Sequence, residues 1–308
     1  MEYLVSDEEE EGGGGHKNKE KENTVSFEKL YSLTLSGLPS IACVCTNSYE
    51  IQFPSLRKLE IDDCPKLDIL VFLATSHSSI EEDTSFNNCE GNNSRSSNWH
   101  FGCTPFCSKK INKTCSTSER RTKIEFKGAS LLQELNVKNC DLHQCLVIDS
   151  YLYSNLKSLT VRGCDRINVL LSFPSMRCLE QLEKLDITEC KNLNEIVCQE
   201  ESEANGEKII IFPALQDLIL KDLPKLKAFF HGPYNLDFPS LQKVSICNCS
   251  DMEVFSRGVS SMPELKDVSV WNELLHNYSI HKDDINVTIQ QFFKTFVCLT
   301  FIYVAYNL

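Results

Sequence analysis

The sequence predicts an α/β repeat solenoid: a curved array with a parallel β-sheet on its concave face and mostly irregular or short helical segments on its convex side. Three observations predict it. A single apolar spacing recurs along the 308 residues, its neighbouring copies start 24 to 33 residues apart except at one gap, and its two central apolar residues are two positions apart. That last spacing puts both side chains on one face of a strand.

The spacing is clearest in FPSLRKLEIDDCPKL, Phe53 to Leu67, where Phe53, Leu56, Leu59, Ile61, Cys64 and Leu67 fall at offsets 0, 3, 6, 8, 11 and 14. The same ruler laid at Phe212 reads Leu215, Leu218, Leu220, Leu223 and Leu226 in FPALQDLILKDLPKL. It also fits from Phe27, Tyr153, Leu179 and Phe238, with weaker copies from Ala129 and Met262 and a frayed ninth at Phe296 (Leu299, Ile302, Val304). A period in the twenties with an L-x-x-L-x-L-x-x-C core is the leucine-rich-repeat signature.

In each copy the residues at offsets 6 and 8 point inward and those at 5, 7 and 9 point out. One coil cannot cover its own apolar side, so coils are stable only when stacked, and the array is expected to be one cooperative rod. At offset 11 five copies carry Cys (Cys64, Cys140, Cys164, Cys190 and Cys249) and two carry Leu38 and Leu223. Interchange with Leu predicts that these thiols are packing groups, not metal ligands or disulfide partners. The Pro of each F-P pair (Pro54, Pro213, Pro239) and Pro263 disfavours helix in the residue before it, marking the end of each convex segment.

The copies divide the chain. Residues 27–74 and 124–272 are expected to hold repeats, and 273–308 a degenerate C-terminal segment. Residues 75–123 are polar, with Ile80 and Ile111 their only aliphatic residues apart from alanine, and are expected to be a disordered insertion. Cys89, Cys103, Cys107 and Cys115 with His100 lie there, but no second close Cys pair gives them zinc spacing.

A net charge of −12, with 31 scattered Lys and Arg, points away from nucleic acid and from anionic membranes. The longest charge-free apolar run, Phe296 to Leu308, falls short of the roughly 20 residues a membrane helix needs. Without a basic-then-apolar leader the chain is expected to be cytoplasmic, its 16 cysteines reduced and its Asn-x-Ser/Thr triplets at Asn92, Asn112, Asn248, Asn277 and Asn286 unmodified. No G-x-x-x-x-G-K-[ST], G-x-S-x-G or H-E-x-x-H motif occurs, so neither an enzyme nor a cofactor is expected.

The wording of FPSLRKLEIDDCPKL, LEKLDITECKNLNEIV and FPALQDLILKDLPKLKAFF resembles the leucine-rich repeats of plant coiled-coil, nucleotide-binding, leucine-rich-repeat (NB-LRR) disease resistance proteins. The resemblance spans most of the chain outside 75–123 and roughly the last forty residues. It implies a protein-binding role in the defence response, with a pathogen effector, a guarded host protein or a full-length NB-LRR protein as partner. The coiled coil and the nucleotide-binding module of that family are missing from these residues, so nucleotide switching is not implied. A resistance-type repeat would recognise its partner through outward residues of the concave face: Lys58, Glu60, Asp62, Asn136, Lys138, Arg162, Asp186, Ile219, Lys221 and Trp271. Arg162, Ile219 and Trp271 stand out, because such side chains dominate interface energetics. The rival reading is the substrate-binding repeat region of an F-box-type ubiquitin-ligase adaptor, which also carries Cys at offset 11. An extracellular receptor repeat would show Asn there.

The opening MEYLVSDEEEEGGGG aligns with LNEIVCQEESE, the back half of the copy at Leu179. Residues 1–26 therefore read as a truncated repeat followed by an acidic, Gly-rich loop.

Overall fold

The computed structural model describes residues 23–41, 49–67, 131–142, 154–171, 179–197, 209–232, 234–271, 278–279 and 285–292. The opening stretch, the polar segment 75–123 with its cysteines, and the frayed copy at Phe296 lie outside the described residues.

The repeats form a parallel β-solenoid. Its principal sheet runs in space through Ser32–Ser36, Lys58–Asp62, Glu134–Lys138, Ser158–Arg162, Lys184–Thr188, Asp217–Lys221, Lys243–Cys247 and Asp267–Trp271. Each of these strands occupies offsets 5 to 9 of its copy. All seven pairings are parallel and in register, so Lys58 faces Glu134, Glu134 faces Ser158, and so on along the row. A ninth, antiparallel strand, Tyr278–Ser279, lies at the far edge. Lys58–Asp62 pairs directly with Glu134–Lys138. The chain thus leaves the sheet after one coil and re-enters it in the adjacent place, with no strand of the sheet drawn from the sequence between.

Two four-residue turns bracket each strand. Leu56 N donates to Phe53 O (3.2 Å) and Leu67 N to Cys64 O (3.1 Å), and the same pairs recur as Leu241 to Phe238 and Met252 to Cys249. Pro54 and Pro65 sit in the second position of these turns, where a φ fixed near −65° is already correct. Proline therefore builds the corners of the coil as well as excluding helix.

Between the corners, described convex segments are short parallel strands rather than irregular or helical. Val169–Leu171, Glu195–Val197 and Ala228–Phe230 form one sheet, and Ile209–Ile211, Asn235–Asp237 and Ser260–Ser261 another. Asn23–Ser26 and Tyr49–Gln52 form a third. The physical reason is composition: runs such as Ile209 to Ile211 and Ala228 to Phe230 favour a pleated backbone.

The core is one continuous column of the apolar residues at offsets 3, 6, 8, 11 and 14, most of them fully buried from Leu56 through Ile246. Phenylalanines fill the interior of the later coils. Phe212 stacks on Phe238 (5.1 Å) and Phe229 on Phe255 (4.9 Å), with edge-to-face contacts between the two pairs. A helix at 285–292 adds Ile285, Ile289 and Phe292 to the same column.

Candidate protein-binding face

All ten outward residues singled out in the sequence lie on the solvent side of the principal sheet. In-register stacking arranges that side into rows, one each for offsets 5, 7 and 9, with about 4.8 Å between strands.

The first four of these coils form a charged quarter that is largely paired within itself. Lys58 Nζ lies 3.3 Å from Glu134, and Lys138 Nζ 2.6 Å from Glu60 on the preceding strand. Asn139 Nδ2 donates to Asp62 (2.8 Å), while Asn136 is half-buried between Glu60 and Thr160 in its row. Arg162 reaches Glu189 with two guanidinium nitrogens. Asp186 accepts from Thr188 Oγ1 (2.9 Å) and lies 3.5 Å from Lys184.

Beyond Asp186 the face changes character. The three strands from Asp217 to Trp271 present Ile219, Ser245 and Ser269 in the middle row and Lys221, Cys247 and Trp271 in the outer one. Ile219, Cys247 and Trp271 are half-buried, and Lys221 is exposed with Asp222 3.8 Å from its ammonium. Arg162 and Trp271 share the outer row four strands apart, about 19 Å, with Ile219 one row inward and midway between them. These three side chains occupy one face without touching.

One functional row escaped the sequence reading. Offset 10 is a left-handed backbone position in every coil that has it described: Gly37, Asp63, Asn139, Gly163, Glu189, Asp222 and Asn248 have φ between 50° and 64°. Its amide donates to the next strand, as Asn139 N does to Arg162 O (2.8 Å), and its side chain stands at the rim of the binding face. Asn248 Nδ2 bonds Asp222 (2.6 Å) just as Asn139 bonds Asp62. The signal was available, because Gly, Asn and Asp are the residues that tolerate left-handed geometry and they fill six of the seven positions.

Electrostatics at this rim follow from the pairing. The hydrogen bond from Arg162 holds the Glu189 carboxyl below its ordinary range, and the same partner raises the Arg162 guanidinium. Beneath the rim run the offset-11 thiols. Cys64 Sγ donates to Asp62 O (3.4 Å) and Leu35 O (3.7 Å), Cys140 to Lys138 O (2.9 Å), and Cys249 to Cys247 O (3.4 Å) and Leu220 O (3.6 Å). Each thiol fills the turn and satisfies a carbonyl, as a packing group does. Burial pushes Cys140 and Cys190 up to about 11 and Cys249 to about 12, and raises Cys64 and Cys164 as well. All six described cysteines are free, and among the described residues no group of His, Cys, Asp and Glu is placed to hold a metal ion. Among them, too, no helix is long and apolar enough to cross a membrane.

One strand per coil, in-register parallel stacking and an L-x-x-L-x-L column define a leucine-rich-repeat domain. Its repeats are of the plant disease resistance type: residues 132–274 match the family described as "Plant disease resistance protein RPS2-like, leucine-rich repeats". A protein of Arabidopsis thaliana named as a probable disease resistance protein is 27% identical over 122 residues, 38% of this chain. The match spans 13% of that relative's length. No solved structure matches the chain.

Proposed function

We propose that this leucine-rich-repeat domain is a protein-binding, non-catalytic module of plant defence that works in the cytoplasm and recognises a pathogen effector or a host protein through the solvent side of its principal sheet. The observation that supports the reading most is a coincidence of sequence and geometry. Residues 132–274, which match the resistance-protein repeats, are the ones that build the strands carrying Asn136, Lys138, Arg162, Asp186, Ile219, Lys221 and Trp271. Lys58, Glu60 and Asp62 extend the same face by one strand.

Within this face the carboxylates and cations of the earlier coils neutralise one another, so they supply orientation and selectivity more than affinity. The later strands offer Ile219 and Trp271, the side-chain types that anchor protein interfaces when they become fully buried. Capture of partners by the tagged chain from infected and uninfected plant tissue tests the reading. An effector, a guarded host protein or a full-length NB-LRR protein, lost when Ile219 and Trp271 are replaced by alanine, is the expected result. Capture of ubiquitin-ligase scaffold subunits instead would support the F-box-type adaptor.

A further inference from the structure

The last coil of the array is closed by a device that imitates its missing neighbour. On the second side of the solenoid, the amides of Phe229 and Phe230 both donate to the carbonyl of Phe255 in the following coil, at 3.0 and 3.2 Å. The equivalent amides one coil later, Phe255 N and Ser256 N, belong to buried residues and need an acceptor of the same kind. They find it in a side chain: Asn286 Oδ1 accepts both, at 2.7 and 3.2 Å.

Two further contacts close the same end. The helix at 285–292 that carries Asn286 inserts Ile285, Ile289 and Phe292 into the apolar column. On the principal sheet, Tyr278–Ser279 pairs antiparallel with Ser269 and Val270, along the edge to which a parallel coil would otherwise add.

We infer that residues 278–292 are a terminating cap, in which Asn286 stands in for the carbonyl of a further coil and the strand and helix together block stacking by a second copy of this chain. An unpaired strand edge and an open apolar column are what solenoids need covered to stay apart. A copy beginning at Phe296 cannot add to this edge while the cap is docked. The cap also bears on the Asn286-Val287-Thr288 triplet, because Thr288 is buried and the triplet is not presented to a modifying enzyme once the helix has packed.

Amide exchange on the full-length chain tests the substitution of side chain for backbone. In Asn286→Ala the Phe255 and Ser256 amides should exchange at least tenfold faster, while Asn286→Asp, which keeps an acceptor oxygen, should stay near the parent. Unchanged exchange in Asn286→Ala would overturn the inference. Blocking is tested with Ile289→Asp, which undocks the helix: light scattering over a dilution series should show apparent mass rising with concentration more steeply than in the parent. Identical mass curves would refute it. Slow exchange of the Leu159 and Leu185 amides reports that the coils remain folded; should Ile289→Asp lose it, the same dilution series on Asn286→Ala, which removes no apolar contact, decides.

Discussion

Arg162 and Glu189, 27 residues apart in sequence and on adjacent coils, are joined by a two-pronged ion pair, Nε to Oε2 at 3.2 Å and NH2 to Oε1 at 2.8 Å. Glu189 holds a left-handed backbone conformation (φ 59°) that the other described coils give to Gly, Asn or Asp. The pair locks the most prominent cation of the face against its rim. A ligand carboxylate must compete with Glu189 to reach Arg162, and this makes the site selective for a correctly placed acid.

The pairing predicts a titration. Because its folded pKa is depressed, the Glu189 contribution to stability is present above the ordinary glutamate value of about 4.3 and is lost as pH falls through the lower folded value. Carboxyl carbon shifts followed by NMR should show Glu189 titrating below 4.3 in the parent and returning toward it in Arg162→Gln. An unmoved midpoint would show that Arg162 is not the cause.

The buried thiols should be inert. With Cys140 and Cys190 near 11 and Cys249 near 12, almost no thiolate exists at pH 8, and the turns also shield these groups. Alkylation read peptide by peptide by mass spectrometry should modify half-buried Cys247 first. Cys64, Cys140, Cys164, Cys190 and Cys249 should react only on unfolding.

Gly163 is required by its conformation and by its neighbour. Its φ is 64°, and a Cβ there would run into Asn139 Oδ1. Gly163→Ala should therefore cost about 1–2 kcal/mol from the backbone alone. Urea unfolding should show the loss, together with faster exchange of the Asn139 amide.

Phe229 bridges two stacked pairs, Phe212 with Phe238 and its own with Phe255. Phe229→Ala should leave a cavity and cost about 3–5 kcal/mol. Since coils stabilise only their neighbours, exchange should quicken around residues 212–256 before it does around Leu59 and Ile61.

Much of the fold was legible in the sequence because one constraint repeats. Every strand of the principal sheet from Ser32 to Trp271 begins at offset 5 and ends at offset 9 of a copy found by its apolar spacing alone. The face residues followed from that register. The convex strands did not, since runs such as Ile209 to Ile211 are too short for periodicity to distinguish strand from helix. Nor did the direct pairing of Lys58–Asp62 with Glu134–Lys138, which depends on where the chain returns after 76 residues of offset between copies. The partnership of Arg162 with Glu189 was hidden for another reason: Glu is a poor residue for left-handed geometry, and nothing local marks it as a rim position.

The central claim is that the solvent side of the principal sheet binds protein through Arg162, Ile219 and Trp271. The most direct measurement is the affinity of a partner captured from plant tissue for the parent chain and for the variant with alanine at all three positions, by surface plasmon resonance, with circular dichroism confirming the fold. A Kd weakened at least tenfold is predicted; an unchanged Kd would contradict the claim.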